Sequence, residues 1–185
     1  LSELLKQNIT ILEVLESEGN KEEKRDKFNR VDLKVRDNKN EIIIIEIQYD
    51  REYDYLQRIF YGVSKTALEY MQEGQAYARV TKVISVNILY FDLGIGTDYI
   101  YKGSTRFIGL HKHDQLELTE KQKELFNRES LESLYPEYYL IKINRFNDIA
   151  KDTLDEWIYF LKNEEIKENF TAQGLKEAQE KLSLM

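Results

Sequence analysis

Cysteine is absent from the 185 residues, and histidine occurs only at positions 111 and 113. Without cysteine there are no disulfides and no thiolate metal ligands, which suits a reducing cytosol. Proline occurs once, at Pro136, so almost nothing in the chain is locked by a ring. No apolar run approaches the roughly 18 residues needed to span a bilayer, and no signal peptide is visible. Cations are outnumbered: 27 Lys and Arg face 34 Asp and Glu, a net charge of −7. That argues against a general nucleic-acid binder, because phosphate contacts need Lys and Arg. It leaves room for an enzyme that grips DNA through a local basic face while metal ions offset an acidic centre. The sequence does not show where such a face lies.

Hydrophobic residues at 42% and aromatics at 12% are ample for a core, and charged residues at 33% make a solvated surface. The length fits one domain with a small appendage. We read a domain over 1–162 and a charged helical tail over 163–185. The chain opens on Leu1 inside what reads as the end of an amphipathic helix, so it reads as a fragment lacking its N-terminal part.

Along the chain, Ile9–Leu15 suits a strand or a helix, and Glu16–Lys27 is a charge run expected to be a solvated loop. Val31–Val35 alternates apolar and polar residues, the pattern of a half-buried strand. Asp37 to Asn40 is turn chemistry. Glu41–Tyr49 is a second, more apolar strand, so the two form an antiparallel hairpin. The 3,4 spacing of Leu56, Ile59, Phe60, Val63, Ala67, Tyr70 and Met71 predicts a helix over 54–73, stopped by Gly74. Lys82–Phe91 is a returning strand, so strand, helix and strand make a parallel crossover. Further expectations are a Gly-containing turn region over 92–105, a hairpin over 105–118 and a strand over 138–144. A last helix over 148–162 turns Leu154, Trp157, Ile158 and Leu161 inward, and 163–181 is read as a solvated face.

The chemistry concentrates in the hairpin. Glu46 stands among five isoleucines of its strand and is costly to bury unless something neutralises it. Alternation puts Glu46 and Gln48 on one face, and the hairpin can bring Asp32 beside them. Two neighbouring carboxylates repel less with a shared Mg²⁺ between them. The Ile47 carbonyl is a further oxygen ligand, and a retained water becomes the nucleophile. Gln48 offers a dipole where a lysine would offer full charge. Plainer readings stand beside these. Asp32 alone reads first as a solvated strand residue, Glu46 equally as a salt-bridge partner of Lys34 or Arg58, and Gln48 first as a hydrogen-bonded sheet residue. Arg58 suits an ion pair with Glu52 or Asp54. His111 and His113 alternate and could share a strand face, but a surface position accounts for them. Gly94 to Gly96 is too short for a phosphate loop.

The order of these features resembles a known family. The strings RVDLKVRDNKNEIIIIEIQ, YLQRIFYGVSK, GQAYARVTKVISVNIL and DTLDEWIYFL resemble the bacterial recombination-promoting nucleases (Rpn), the PD-(D/E)xK nuclease family transposases. The resemblance implies an α/β restriction-endonuclease-like core, a mixed β-sheet flanked by helices, acting as a metal-dependent DNA endonuclease in recombination or transposition. Asp32 and Glu46 then match the metal-binding acids, and Gln48 stands where the wider superfamily has lysine. Gln57, Arg58 and Tyr61 are expected near the acidic site, with Arg58 contacting DNA phosphate. Mg²⁺ or Mn²⁺ is the implied cofactor and DNA the implied partner, with a homodimer allowed and a cytoplasmic location. The alternative is a nuclease-fold module that cuts weakly or not at all and serves in DNA or protein binding.

Overall fold

Asp37 turns the chain at the centre of the hairpin. Its Oδ1 accepts the backbone N–H groups of Lys39 at 2.9 Å and Glu41 at 2.8 Å. Asn40 takes the left-handed conformation that closes the turn, with φ at 60°. The computed structural model describes residues 1–17, 33–71 and 76–183. Its elements in chain order are α1 (Ser2–Leu5), β1 (Ile11–Ser17), β2 (Leu33–Asp37), β3 (Ile42–Gln48), α2 (Tyr55–Glu69), β4 (Val83–Leu89), β5 (Ile100–Gly103), α3 (Glu120–Phe126), β6 (Glu137–Lys142), α4 (Thr153–Asn163) and α5 (Leu175–Ser183).

The strands form one mixed sheet of six in the order β1-β2-β3-β4-β6-β5. β1, β2 and β3 are antiparallel neighbours, and the hairpin register runs from Arg36–Ile42 to Leu33–Ile45. β3, β4 and β6 are parallel, and β5 closes the far edge antiparallel to β6. The expected crossover is therefore present, with α2 joining two parallel strands. The fold is the expected α/β architecture, a mixed sheet flanked by helices.

The sheet is covered on both faces, which explains why β3 and β4 read as near-continuous apolar runs. On one face Val35, Ile43, Ile84, Val86 and Ile141 pack with Ile158, Tyr159 and Phe160 of α4. On the other, Ile42, Ile44 and Val83 meet Val63 of α2, while Leu89 and Phe91 meet Tyr55 and Ile59.

Several expectations need correction. The buried face of α2 is Tyr55, Ile59, Val63 and Thr66. Leu56 and Phe60, expected inside, are 50% and 64% exposed. The helix is rotated so that Tyr55, anchored by its hydroxyl, takes the inward place. The region over 92–105 contains the short strand β5, and the hairpin over 105–118 reduces to a single bridge between Ile108 and Gln115. His111 and His113 lie in the turn between those two residues and share no strand face. The stretch read as a solvated face over 163–181 sends Phe170, Ala172 and Leu175 into the main core. Gly74, Asp32 and the charge run 18–27 lie outside the described residues.

Candidate active site

Glu46 follows Ile42 and Ile44 along the α2 face of β3, and only 8% of it is exposed. A carboxylate so placed must be held by hydrogen bonds or opposite charge. Tyr55, the first residue of α2 and fully buried, supplies part of this. Its hydroxyl lies 3.2 Å from Glu46 Oε2 and 3.1 Å from Asn87 Oδ1. Asn87 is the lateral partner of Glu46 on β4 and is likewise fully buried. Its side-chain nitrogen donates to Ser85 Oγ at 2.9 Å and to the Tyr139 carbonyl at 3.2 Å, which fixes the amide with its oxygen toward Tyr55. Burial and then the charge of Glu46 push the Tyr55 hydroxyl well above its ordinary pKa of 10.0. The phenol therefore stays protonated and remains a donor.

A second group joins the end of β3 to the start of α2. Gln48 Nε2 donates to Glu52 Oε1 at 3.1 Å and to the Asp50 carbonyl at 3.2 Å. Arg58 Nη1 donates to both oxygens of Glu52, at 2.7 and 2.9 Å. The same guanidinium lies 5.8 Å from the centre of the Tyr55 ring. Burial opposes the charge on Arg58, but the Glu52 hydrogen bond and the negative charges of Glu46 and Glu52 outweigh it and raise its pKa. Arg58 thus makes the ion pair with Glu52 and also lies within the field of Glu46.

The structure therefore brings together Glu46, Gln48 and Arg58. Gln57 and Tyr61 are exposed on α2 and make no side-chain hydrogen bond to this group among the described residues. The Ile47 side chain turns away from Glu46 and is 39% exposed. Asp32 itself is outside the described residues, but its chain neighbour Leu33 pairs with Ile45, the neighbour of Glu46. Among the described residues no three His, Asp or Glu side chains gather as a metal cage.

Sequence reasoning passed over Tyr55 and Asn87 as parts of this group, and weighed Glu52 only as a partner of Arg58. A signal for Asn87 was present: Ser85 and Asn87 interrupt the apolar run of β4 on one face, as Glu46 interrupts β3. Tyr55 carried none, since a tyrosine opening an amphipathic helix reads as ordinary packing.

Comparison with known proteins gives one result. No curated protein and no solved structure matches the chain significantly. A family model described as PD-(D/E)XK nuclease family transposase matches residues 1–184. The antiparallel strands leading through β3 and α2 into a parallel β4, with a buried glutamate two residues before Gln48, agree with that match. The chain belongs to the PD-(D/E)XK nuclease family transposases.

Proposed function

We propose that this chain hydrolyses phosphodiester bonds in DNA with a divalent cation, Mg²⁺ or Mn²⁺, held by Asp32, Glu46 and the Ile47 carbonyl. The observation that carries the reading is the placement of Glu46. It is a carboxylate kept nearly dry on a sheet face, gripped by a protonated tyrosine, beside β2, whose first residue Leu33 follows Asp32 in the sequence. These donors are all hard oxygens, which fit Mg²⁺ or Mn²⁺ better than softer metals. When bound, such an ion polarises the phosphodiester and activates water.

The chain's own groups do the rest. Tyr55 holds one carboxylate oxygen of Glu46, which fixes the direction in which the other points. Glu52 and the Asp50 carbonyl take the amide hydrogens of Gln48, leaving its Oε1 to accept a hydrogen bond and align the attacking water. Arg58 stays charged, and with Nη1 committed to Glu52 its Nη2 is the atom it offers to a substrate phosphate. Gln57 and Tyr61, on the exposed side of α2, would meet DNA beyond the scissile bond. The family supports a recombination or transposition role, and the lack of cysteine suits a cytosolic setting.

Plasmid nicking tests the reading. The wild-type chain with Mg²⁺ or Mn²⁺ is expected to nick supercoiled plasmid, and EDTA, Asp32→Ala and Glu46→Ala are each expected to abolish it. Nicking that survives both substitutions would sink the site. No nicking by correctly folded wild type with either metal would favour a binding module built on the nuclease fold.

A further inference from the structure

The other end of the parallel strands carries an arrangement that cleavage does not use. Six residue steps along β3, about 20 Å from Gln48, the starts of β3, β4 and β6 open into a groove of about 850 Å³. Among the described residues Arg36, Lys39, Arg79, Lys82 and Arg128 line it, against one carboxylate, Glu69. In a chain of net charge −7 this is a local reversal of sign. Its cations are held in place from behind. Glu41, 3% exposed, pairs with Arg128, and the largely buried Glu137 accepts Lys82 Nζ at 2.7 Å. Glu69 is itself engaged by Lys34 and Lys65. Lys39, whose Nζ donates to the neutral Gln7 Oε1, and Arg79 are exposed and make no ion pair among the described residues, so among those residues the groove keeps a surplus of positive charge.

Aromatic rings accompany the charge. Tyr77 on the groove is 86% exposed, and Tyr135, which also lines it and packs against Phe107, is 36% exposed. A large ring left in water contributes nothing to the core, but it offers a face on which a base can stack. Cations together with exposed rings are the composition of a single-strand groove. A duplex keeps its bases stacked inside, where these rings could not reach them.

The geometry points to a second nucleic-acid site, in which this groove binds a single-stranded segment through phosphates on Lys39 and Arg79 and a base on Tyr77. It lies at the end of the sheet opposite Glu46 and does not depend on cleavage. The test is fluorescence anisotropy of a labelled oligothymidylate with the full chain in EDTA across a salt series, so that its failure would leave the cleavage reading untouched. Lys39→Glu with Arg79→Glu should weaken binding at least about tenfold and flatten the slope of log K against log salt by roughly 1.4, about 0.7 for each phosphate that is no longer neutralised. Tyr77→Ala alone should weaken it about tenfold with the slope unchanged. All three residues are exposed, so the variants should keep the wild-type circular dichroism. Equal affinity of wild type and both variants overturns the site. So does displacement of the oligonucleotide by pyrophosphate at equal phosphate concentration, which would mark a small-anion pocket.

Discussion

Tyr55 ties the surroundings of Glu46 to the first turn of α2. Its ring is packed edge-on against Phe91 at 5.8 Å, so the apolar part of the side chain is satisfied independently of the hydroxyl. Tyr55→Phe therefore keeps the packing and removes one donor from between two buried acceptors. Leaving a buried acceptor short costs about 1–3 kcal/mol. Urea denaturation should show a loss in that range, and a change below about 0.5 kcal/mol would mean that the hydroxyl is idle. Glu137 gives a residue-scale prediction in pH. Burial alone would raise its carboxyl, but the hydrogen bond and charge of Lys82, with Lys102, outweigh this and lower it. The folded state then binds this proton less readily than the unfolded chain. Its stabilisation is complete above the unfolded value of about 4.3 and is lost as pH falls through the lower folded value. Lys82→Met should reduce the steepness with which stability falls below that pH. An unchanged profile would show that the pair is not what lowers Glu137.

At the scale of elements, α2 decides where the site residues point, and it was only partly legible. Ile59, Val63, Ala67 and Tyr70 belong both to the predicted stripe and to the helix's observed packing. Hydrophobicity alone also recruited Leu56 and Phe60, because it cannot weigh the hydrogen bonds that draw a tyrosine inward. The observed face predicts a contrast. Ile59→Ala, at 5% exposure, should cost about 2–5 kcal/mol, while Phe60→Ala, at 64% exposure, should change stability by less than about 0.5 kcal/mol. The reverse order in thermal or urea unfolding would restore the face read from the sequence. The hairpin was more legible, since Asp37 and Asn40 set the turn and the apolar pattern set the register, placing Glu46 and Gln48 together. β5 was not, because four residues with a glycine at one end carry too little periodicity to separate a strand from a loop.

For the whole molecule, the question is what belongs to the cooperative unit. A charge-rich C-terminal stretch reads as solvated because its apolar residues are few and far apart. The structure uses those few fully. Glu156 of α4 accepts the backbone N–H groups of Thr171 at 2.7 Å and Ala172 at 2.5 Å. Phe170 meets Tyr159 edge-on at 5.3 Å, and Leu175 is 1% exposed in the same core that covers the sheet. Phe170, Ala172 and Leu175 follow neither a two-residue nor a 3.6-residue period, so this docking leaves no local pattern, whereas the strands of the hairpin, α2 and β4 do. Leu175→Ala should cost about 2–5 kcal/mol, whereas Lys176→Ala, one residue on and exposed, should cost almost nothing. Removing 164–185 should leave no cooperative melting transition at the wild-type temperature, since it uncovers the α4 side of the core that backs β3 and β4. A truncated chain that melts as the full chain does would make the segment an appendage. The α4 face of the sheet would then need some other cover.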